Sequence, residues 1–254
     1  MNSKAARWTL ATLAGLMLFL NFNTVVAATP ANRAQIEASS EARILEATVQ
    51  IHLLVPIDGG KVIAEGLGTL IRQAGGTRIV THNHWGTFTR DAQTAEFYNA
   101  SGDLLVKTSG DEFRDLIQSQ DKGTLVLDTP KGLAYHRQPA SMGDLARVKK
   151  GDVVLVAHQA PNAEGKVAVL KAVVDSSAIY EGLSVFVLRT GKSLVIIQGD
   201  SGGGVWRGGQ LIGNMWGRKT ITIKDWKAWD WRTFKPGTKQ TEICYVAKSP
   251  ENAR

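Results

Sequence analysis

Cysteine is almost absent from this chain, since Cys244 is the only one among 254 residues. A single thiol cannot form an internal disulfide, so the hydrophobic core must stabilise the fold. The same scarcity excludes a structural zinc site, because no partnered cysteine and histidine ligands occur, and we expect neither metal nor organic cofactor. Cys244 lies in an alternating apolar stretch, where a buried and unreactive thiol is the usual state.

Dense clusters of basic residues are also missing. The formal net charge is +7, and removing residues 1–28, which carry Lys4 and Arg7 but no acid, lowers it to about +5. The remaining lysines and arginines are scattered along the chain rather than gathered in a block. This pattern gives no support to a nucleic-acid partner.

No apolar run is long enough for a typical membrane span. Lys4 and Arg7 precede an apolar stretch over residues 8–22, and small residues follow at 26–28. Asn21 and Asn23 interrupt the run before it reaches the roughly 20 residues of a spanning helix. Residues 1–28 therefore read as a cleaved signal peptide, which predicts a secreted or periplasmic protein without stable membrane insertion. An uncleaved anchor is the alternative.

Short apolar strands fill most of the chain after a helical candidate at 29–45. Turn residues separate the strands at close intervals, a pattern typical of all-β barrels or sandwiches. A connection around 135–142 divides them into two sets. The first set lies at 47–55, 61–72, 77–82, 95–100, 104–107 and 124–127, and the second at 153–158, 167–176, 183–188, 194–198, 204–206 with 211–216, and 241–247.

The most informative segment is the glycine-rich run at 199–204, which contains Asp200 and Ser201. Glycines around a serine let the backbone bend tightly and present its N–H groups to a substrate oxyanion. Ser201 is therefore the candidate nucleophile. A plain glycine-rich turn between two strands is the alternative.

A second segment, 78–85, is a β-rich run that ends in histidines, as expected of a general base at a strand end. Together the two segments resemble the chymotrypsin-like (trypsin-like) serine peptidases, whose base lies in a Thr-Ala-Ala-His-Cys motif. Residues 81–85 occupy the same frame, which selects His84 as the base. His82 would stand where the family has a small residue, and it remains the alternative, with a packing role favoured for it.

The resemblance also implies a triad acid between the histidine and the serine, since the chain order in this fold is His, Asp, Ser. Asp121 fits best, because residues 121–127 have leucines four and six residues after the acid, as the family's Asp-x-Ala-Leu-Leu-x-Leu pattern does. Asp115 is the fallback. Asp128 reads as a turn residue.

The fold that this resemblance implies is two antiparallel six-stranded β-barrels with the active site in the cleft between them. We assign residues 46–138 to the first barrel and 139–254 to the second. The implied chemistry is hydrolysis of a protein or peptide substrate by a monomer. His84 takes the proton of Ser201, Asp121 orients the ring, and the N–H groups of Gly199 and Ser201 form the oxyanion hole.

The resemblance extends to substrate binding. Met215, Trp216 and Gly217 stand where the family has Ser-Trp-Gly, the strand that lies along the substrate backbone, although buried strand is the alternative for them. Val195 corresponds to the pocket floor, and Gln198 follows it. Because no acid stands at the floor, the pocket favours apolar or small side chains over lysine or arginine.

Two further features call for expectations of their own. No Ile-Val-Gly-Gly-like string occurs near residues 30–60, so we expect an Arg, Trp or backbone N–H to satisfy Asp200, rather than a new N-terminus. Trp226, Trp229 and Trp231 stand among charges. They form either an exposed platform or, as we favour, a β-hairpin packed on the second barrel.

Overall fold

The computed structural model describes residues 30–133, 137–160, 163, 165–190, 199–230 and 235–248. The predicted signal peptide lies outside the described residues. Backbone proximity divides the chain into residues 1–38 and residues 39–254, and all strands belong to the second unit. Among the helices of the described part, none combines the length and the hydropathy needed to span a membrane.

A helix, α1 (Pro30–Ala47), covers the predicted helical segment and leads into the first sheet. That sheet has seven strands, and every neighbouring pair is antiparallel. Its elements are β1 (Thr48–Ile57), β2 (Gly60–Gln73), β3 (Gly76–His82), α2 (Thr87–Asp91), β4 (Thr94–Tyr98), β5 (Leu104–Ser109), α3 (Gly110–Asp115), β6 (Ile117–Gln120) and β7 (Thr124–Asp128). The spatial order is β5-β4-β1-β2-β3-β7-β6.

The second sheet also has seven strands, and six of them close into a ring. Its elements are β8 (Ser141–Met142), a 3₁₀ turn (Leu145–Arg147), β9 (Val153–Gln159), β10 (Val167–Tyr180), β11 (Leu183–Thr190), β12 (Gly204–Arg207), β13 (Gln210–Asp230) and β14 (Lys235–Lys248). The order is β12-β9-β10-β11-β14-β13-β8, and the additional pairing of β12 with β13 closes the barrel. β8 joins β13 in parallel.

These strands form because their residues alternate between buried and exposed sides and because their turns suit hairpins. In β1, Val49, Ile51 and Leu53 are fully buried on one face, as strand periodicity requires. Asp58 and Gly59 make the tight turn to β2, where Gly59 has a φ of +84°. Asp-Gly is a preferred pair for such a two-residue turn.

Each barrel has its own core, and a third cluster joins them. Ile51, Phe97 and Phe113 belong to the first core, and Phe186 and Leu188 to the second. The third cluster mixes side chains of both sheets, among them Leu67, Ile71, Val80, Ala157, Trp206 and Leu211. Because this packing fixes one sheet against the other, residues from both can share a site at the junction.

The expected all-β fold is confirmed, with a closed six-stranded barrel in the second sheet and seven antiparallel strands in the first. The first sheet, however, has one strand more than predicted, because Gln118, Ser119 and Gln120 give β6 no apolar alternation. The predicted strand at 194–198 lies outside the described residues. In the tryptophan-rich segment, the backbone of β13 runs to Asp230 and pairs there with Lys235 of β14, and Trp231 lies outside the described residues.

Candidate active site

The loop that carries Ser201 has a backbone that glycine alone adopts easily. Gly199 has a φ of +102° and Gly202 a φ of +87°, in the left-handed region that a Cβ disfavours. A Cβ on Gly202 would also overlap the carbonyl oxygen of Leu67. The glycines are therefore required by the geometry of this loop.

Strands of both sheets hold this loop in place. From the first sheet, the N–H of Leu67 donates to the carbonyl of Ser201 at 2.8 Å. From the second sheet, Met215 accepts from the N–H of Gly202 at 2.8 Å and donates to the carbonyl of Gly203 at 2.8 Å. In the described part of the chain, the N–H groups of Gly199 and Ser201 donate to no backbone carbonyl.

Asp200 is the buried carboxylate beside the candidate nucleophile, with 1% of its surface exposed. The backbone N–H of Gln159, at the end of β9, donates to Asp200 Oδ1 at 2.6 Å. The expectation of an internal donor is confirmed. A charge-assisted hydrogen bond of this kind offsets part of the cost of burying the carboxylate.

His82, the last residue of β3, is a buried and neutral histidine. Only 2% of its surface is exposed, and burial, reinforced by nearby His84, lowers its pKa to about 3. Its Nδ1 accepts the backbone N–H of His84 at 3.0 Å, which places the ring proton on Nε2. His82 thus supports the backbone of His84 and makes no hydrogen bond to Ser201.

Gly66 makes room for the aromatic rings beneath this turn. A Cβ on Gly66 would overlap His82 Nε2 and lie 2.9 Å from the Trp85 ring. His82 and Trp85 pack edge to face at 4.4 Å between ring centroids. Trp85 stands where the family motif has cysteine, so its buried indole supplies packing at this position.

Ser201 and His84 are brought together, as predicted. Ser201 Oγ lies 3.5 Å from His84 Nδ1. The imidazole is flanked by Trp216 at 4.8 Å and His82 at 5.2 Å between ring centroids. Partial burial between these rings lowers the pKa of His84, while the charge of Glu181 acts in the opposite direction. The ring is therefore neutral at pH 7 and able to accept a proton.

Asp121 is not part of this pair. Its Oδ1 accepts the N–H groups of Gly123 at 2.8 Å and Thr124 at 2.7 Å, which closes the turn before β7. Within the described residues His84 makes no hydrogen bond to any carboxylate. The arrangement therefore lacks the hydrogen bond between Asp121 and His84 that the expected triad has, and Asp121 Oδ1 accepts two local backbone donors instead.

The other acids that the sequence offered lie elsewhere. Asp115 is an exposed residue at the end of α3. Asp128 pairs with Arg78 at 3.3 Å between Oδ1 and Nε. Arg78 stands four residues before His82 on β3, a separation of about 13 Å along a strand.

A cleft of about 600 Å³ opens beside Ser201 and His84. Both sheets contribute to it, because Gly199 and Ser201 face residues of the first sheet across the opening. The residues of the first sheet and its connections come from β2, the turn after β3 and α2, and they are apolar except for one acid: Val62, Ile63, Ala64, Glu65, Trp85 and Phe88. Val195 and Gln198, the predicted pocket residues, lie outside the described part of the chain.

Comparison with solved structures agrees with this architecture. The chain is similar to the crystal structure of Rv3671c from M. tuberculosis H37Rv, a serine-to-alanine mutant in an inactive form, with a TM-score of 0.52, 17% identity, and coverage of 89% of this chain and 92% of that one. The fold is the chymotrypsin-like two-barrel fold. The chain is also similar to the crystal structure of the Rv3671c protease in its inactive form, with a TM-score of 0.52 and 18% identity. The match covers 87% of this chain and 91% of that one. No protein-family model and no curated protein matches the sequence.

In this two-barrel fold, Met215 and Trp216 lie in different environments. Met215 is buried in the second core, so its side chain lies away from the cleft. Trp216 sits at a register shift between Met215 and Gly217, and such a bulge re-aims a side chain. Its ring contacts His84. Gly217 pairs with Tyr245 of β14.

Two amide side chains that the sequence did not single out make hydrogen bonds near the site, and one of them, Asn214, connects the barrels. Asn214 Oδ1 accepts from the Thr124 hydroxyl at 3.0 Å, and its Nδ2 donates to the Gly123 carbonyl at 3.2 Å. Asn83, between the two histidines, donates to the carbonyl of Asp121. Asn214 is the one polar side chain in the otherwise apolar stretch 211–217, and this is the signal by which the sequence could have identified it.

Proposed function

We propose that this protein is a serine endopeptidase that hydrolyses peptide bonds through an acyl-enzyme on Ser201. The approach of Ser201 Oγ to His84 Nδ1 at 3.5 Å, at the edge of an open cleft, carries this proposal. A hydroxyl beside a neutral imidazole can lose its proton as it attacks a carbonyl carbon. One of the similar structures is that of a protease.

The steps follow from the geometry around Ser201. His84 accepts the hydroxyl proton at the nitrogen that faces it, and the serine oxygen bonds to the substrate carbonyl carbon. The N–H groups of Gly199 and Ser201 stabilise the resulting oxyanion, each worth about 3 kcal/mol in enzymes where one donor has been removed. His84 then gives the proton to the leaving amine, and water hydrolyses the acyl-enzyme.

The substrate and compartment belong to the same proposal. A valine at position 195 and the absence of an acid there favour apolar or small residues before the cleaved bond. The segment 1–28 favours export, so a secreted or periplasmic monomer acting on proteins or peptides is the form we propose.

A catalytically silent binding protein with this fold is the second candidate. The engagement of Asp121 Oδ1 by two backbone N–H groups rather than by His84 favours it, because a base without a carboxylate partner is weakened. An esterase would use the same nucleophile and differs only in substrate.

A fluorophosphonate probe separates these functions. Purified residues 29–254 are incubated with the probe, and the adduct is followed by intact mass. We expect one adduct on the wild type and none on Ser201→Ala or His84→Ala, with circular dichroism confirming that both variants fold. Peptides with apolar residues before the cleaved bond then test peptidase against esterase substrates.

Absence of an adduct on folded wild type would overturn the proposal of an activated nucleophile and favour the binding protein. An adduct that persists in Ser201→Ala would place the reactive group elsewhere.

A further inference from the structure

Glu65 is the one acid among the described residues that line the cleft beside Ser201 and His84, and no lysine or arginine is among them. It lies on β2 with an exposed side chain. Within the described part of the chain, that side chain makes no hydrogen bond or ion pair. Its carboxylate is therefore available to a ligand that enters the cleft.

The register of β2 determines the face on which Glu65 lies. Side chains two residues apart share one face of a strand. Leu67 is fully buried in the cluster that joins the two barrels, whereas Ala64, on the opposite face, packs on the first core. Glu65 thus shares the face of Leu67, which meets the second barrel. Ile63 is next on this face and is 48% exposed, so the face passes from the buried junction into the cleft.

This cleft lies on the leaving-group side of Ser201. In the proposed reaction His84 gives its proton to the leaving amine, and the cleft is lined by His84 together with Trp85 and Phe88, which follow it in the chain. Trp216 belongs to the strand expected to pair with the acyl part of the substrate, and it is not among the described lining residues. The substrate residues after the cleaved bond therefore occupy this cleft.

The spacing along β2 indicates which substrate residue reaches Glu65. The N–H of Leu67 donates to the carbonyl of Ser201 at 2.8 Å, and Glu65 stands two residues before Leu67, about 7 Å along the strand. An extended substrate advances about 3.3 Å per residue. Glu65 is therefore level with about the second residue after the cleaved bond.

The surroundings of Glu65 suit a long cationic side chain. Across the hairpin Glu65 pairs in register with His52. Burial lowers the pKa of His52 against the opposing charges of Glu65 and Glu96, so the ring is neutral at pH 7 and does not cancel the charge of Glu65. Ile63 and Phe88 leave apolar surface exposed in the same cleft. Lysine and arginine place their aliphatic stems on such surface while the charged end meets a carboxylate.

We propose that Glu65 selects substrates with a lysine or arginine at about the second residue after the cleaved bond. Glu65 binds the substrate side chain and takes no part in the proton transfers, so it determines specificity. This inference rests on the proposed function and adds to it a substrate class, peptides that are apolar before the cleaved bond and basic after it.

The test uses internally quenched peptides that carry leucine before the cleaved bond. Lysine, alanine or glutamate is placed in turn at each of the three positions after it, and the cleavage site is identified by mass spectrometry. We expect the wild type to prefer lysine over alanine by about fivefold in kcat/KM at one of these positions, the upper end for an exposed ion pair. Glutamate should be disfavoured at the same position.

Variants of Glu65 assign this preference to its charge. Glu65→Gln should bring the ratio of lysine to alanine close to one, and Glu65→Lys should favour glutamate over lysine. Asp58→Asn is the matched control, because it removes an exposed acid from the turn before β2 and leaves Asn-Gly, which suits that turn. It should keep the wild-type ratio. Circular dichroism and Tm confirm that each variant folds.

Two results would overturn the inference: a wild type that cleaves lysine and alanine peptides equally well at all three positions, or a lysine preference that survives in Glu65→Gln. If the folded wild type neither labels nor cleaves, the proposed function fails instead. Calorimetric binding of the same peptides to Ser201→Ala then decides the role of Glu65. A ratio of Kd values for the alanine and lysine peptides that Glu65→Gln leaves unchanged in this background would also overturn the inference.

Discussion

Replacing His82 with asparagine should make the protein less sensitive to mild acid. Asparagine offers Oδ1 near the position of Nδ1, so it can still accept the N–H of His84 that His82 accepts at 3.0 Å. It does not titrate in this range. The loss of the ring lowers stability at every pH, and the informative quantity is therefore how the unfolding free energy changes with pH in each protein.

The magnitude follows from the depressed pKa. In the folded state the pKa of His82 is about 3, because the ring is buried, whereas in the unfolded chain it is about 6.5. Between these values the unfolded state binds the extra proton. The contribution of neutral His82 to the unfolding free energy is therefore present in full well above pH 6.5, and it is lost progressively as the pH falls toward 3. Linkage gives a loss of about 1 kcal/mol at pH 6 and about 2 kcal/mol at pH 5 from this group.

Urea unfolding followed by tryptophan fluorescence at pH 7.5, 6 and 5 measures the effect. The wild type should lose about 2 kcal/mol more than His82→Asn between pH 7.5 and pH 5. His52→Asn is the control. Its ring is half-buried, and Glu65 and Glu96 oppose the lowering of its pKa, so its slope should stay closer to that of the wild type. Parallel slopes in the wild type and His82→Asn would refute a buried neutral His82.

Two glycine substitutions test the packing that positions the site. Gly66→Ala forces a Cβ against His82 and Trp85, and we expect a loss of about 1–3 kcal/mol in urea unfolding together with slower probe labelling. Gly60→Ala in the same strand meets nothing within 4 Å and should change stability by less than about 1 kcal/mol. Gly202→Ala combines a positive φ with an overlap on the Leu67 carbonyl, so labelling should be lost. Wild-type labelling by Gly202→Ala would contradict the loop geometry.

Much of the site could be predicted from local patterns. The run around Ser201 is recognisable because its glycines serve one short loop, and the frame at the end of β3 selects His84 over His82. The structure gives the physical reason for that choice, since His82 is buried in packing and His84 faces Ser201 at 3.5 Å. Both features depend on residues close together in the chain.

The acid could not be predicted in this way. Asp121 fits a sequence pattern, but its carboxylate is satisfied by Gly123 and Thr124, a local competition that the pattern does not reveal. Which groups approach His84 from the other barrel depends on how the two sheets pack together, and no pattern near either segment encodes that packing.

The sequence by itself determined the strand-rich architecture, the glycine loop at Ser201 and the histidine at the end of β3, because alternation and turn residues act over a few positions. Tertiary structure alone decided which groups meet across the cleft. The bond from Leu67 to the Ser201 carbonyl and the edge-to-face contact of Trp216 with His84 join segments more than 130 residues apart. Such contacts depend on how two cores pack together, and no periodicity within either segment encodes that packing.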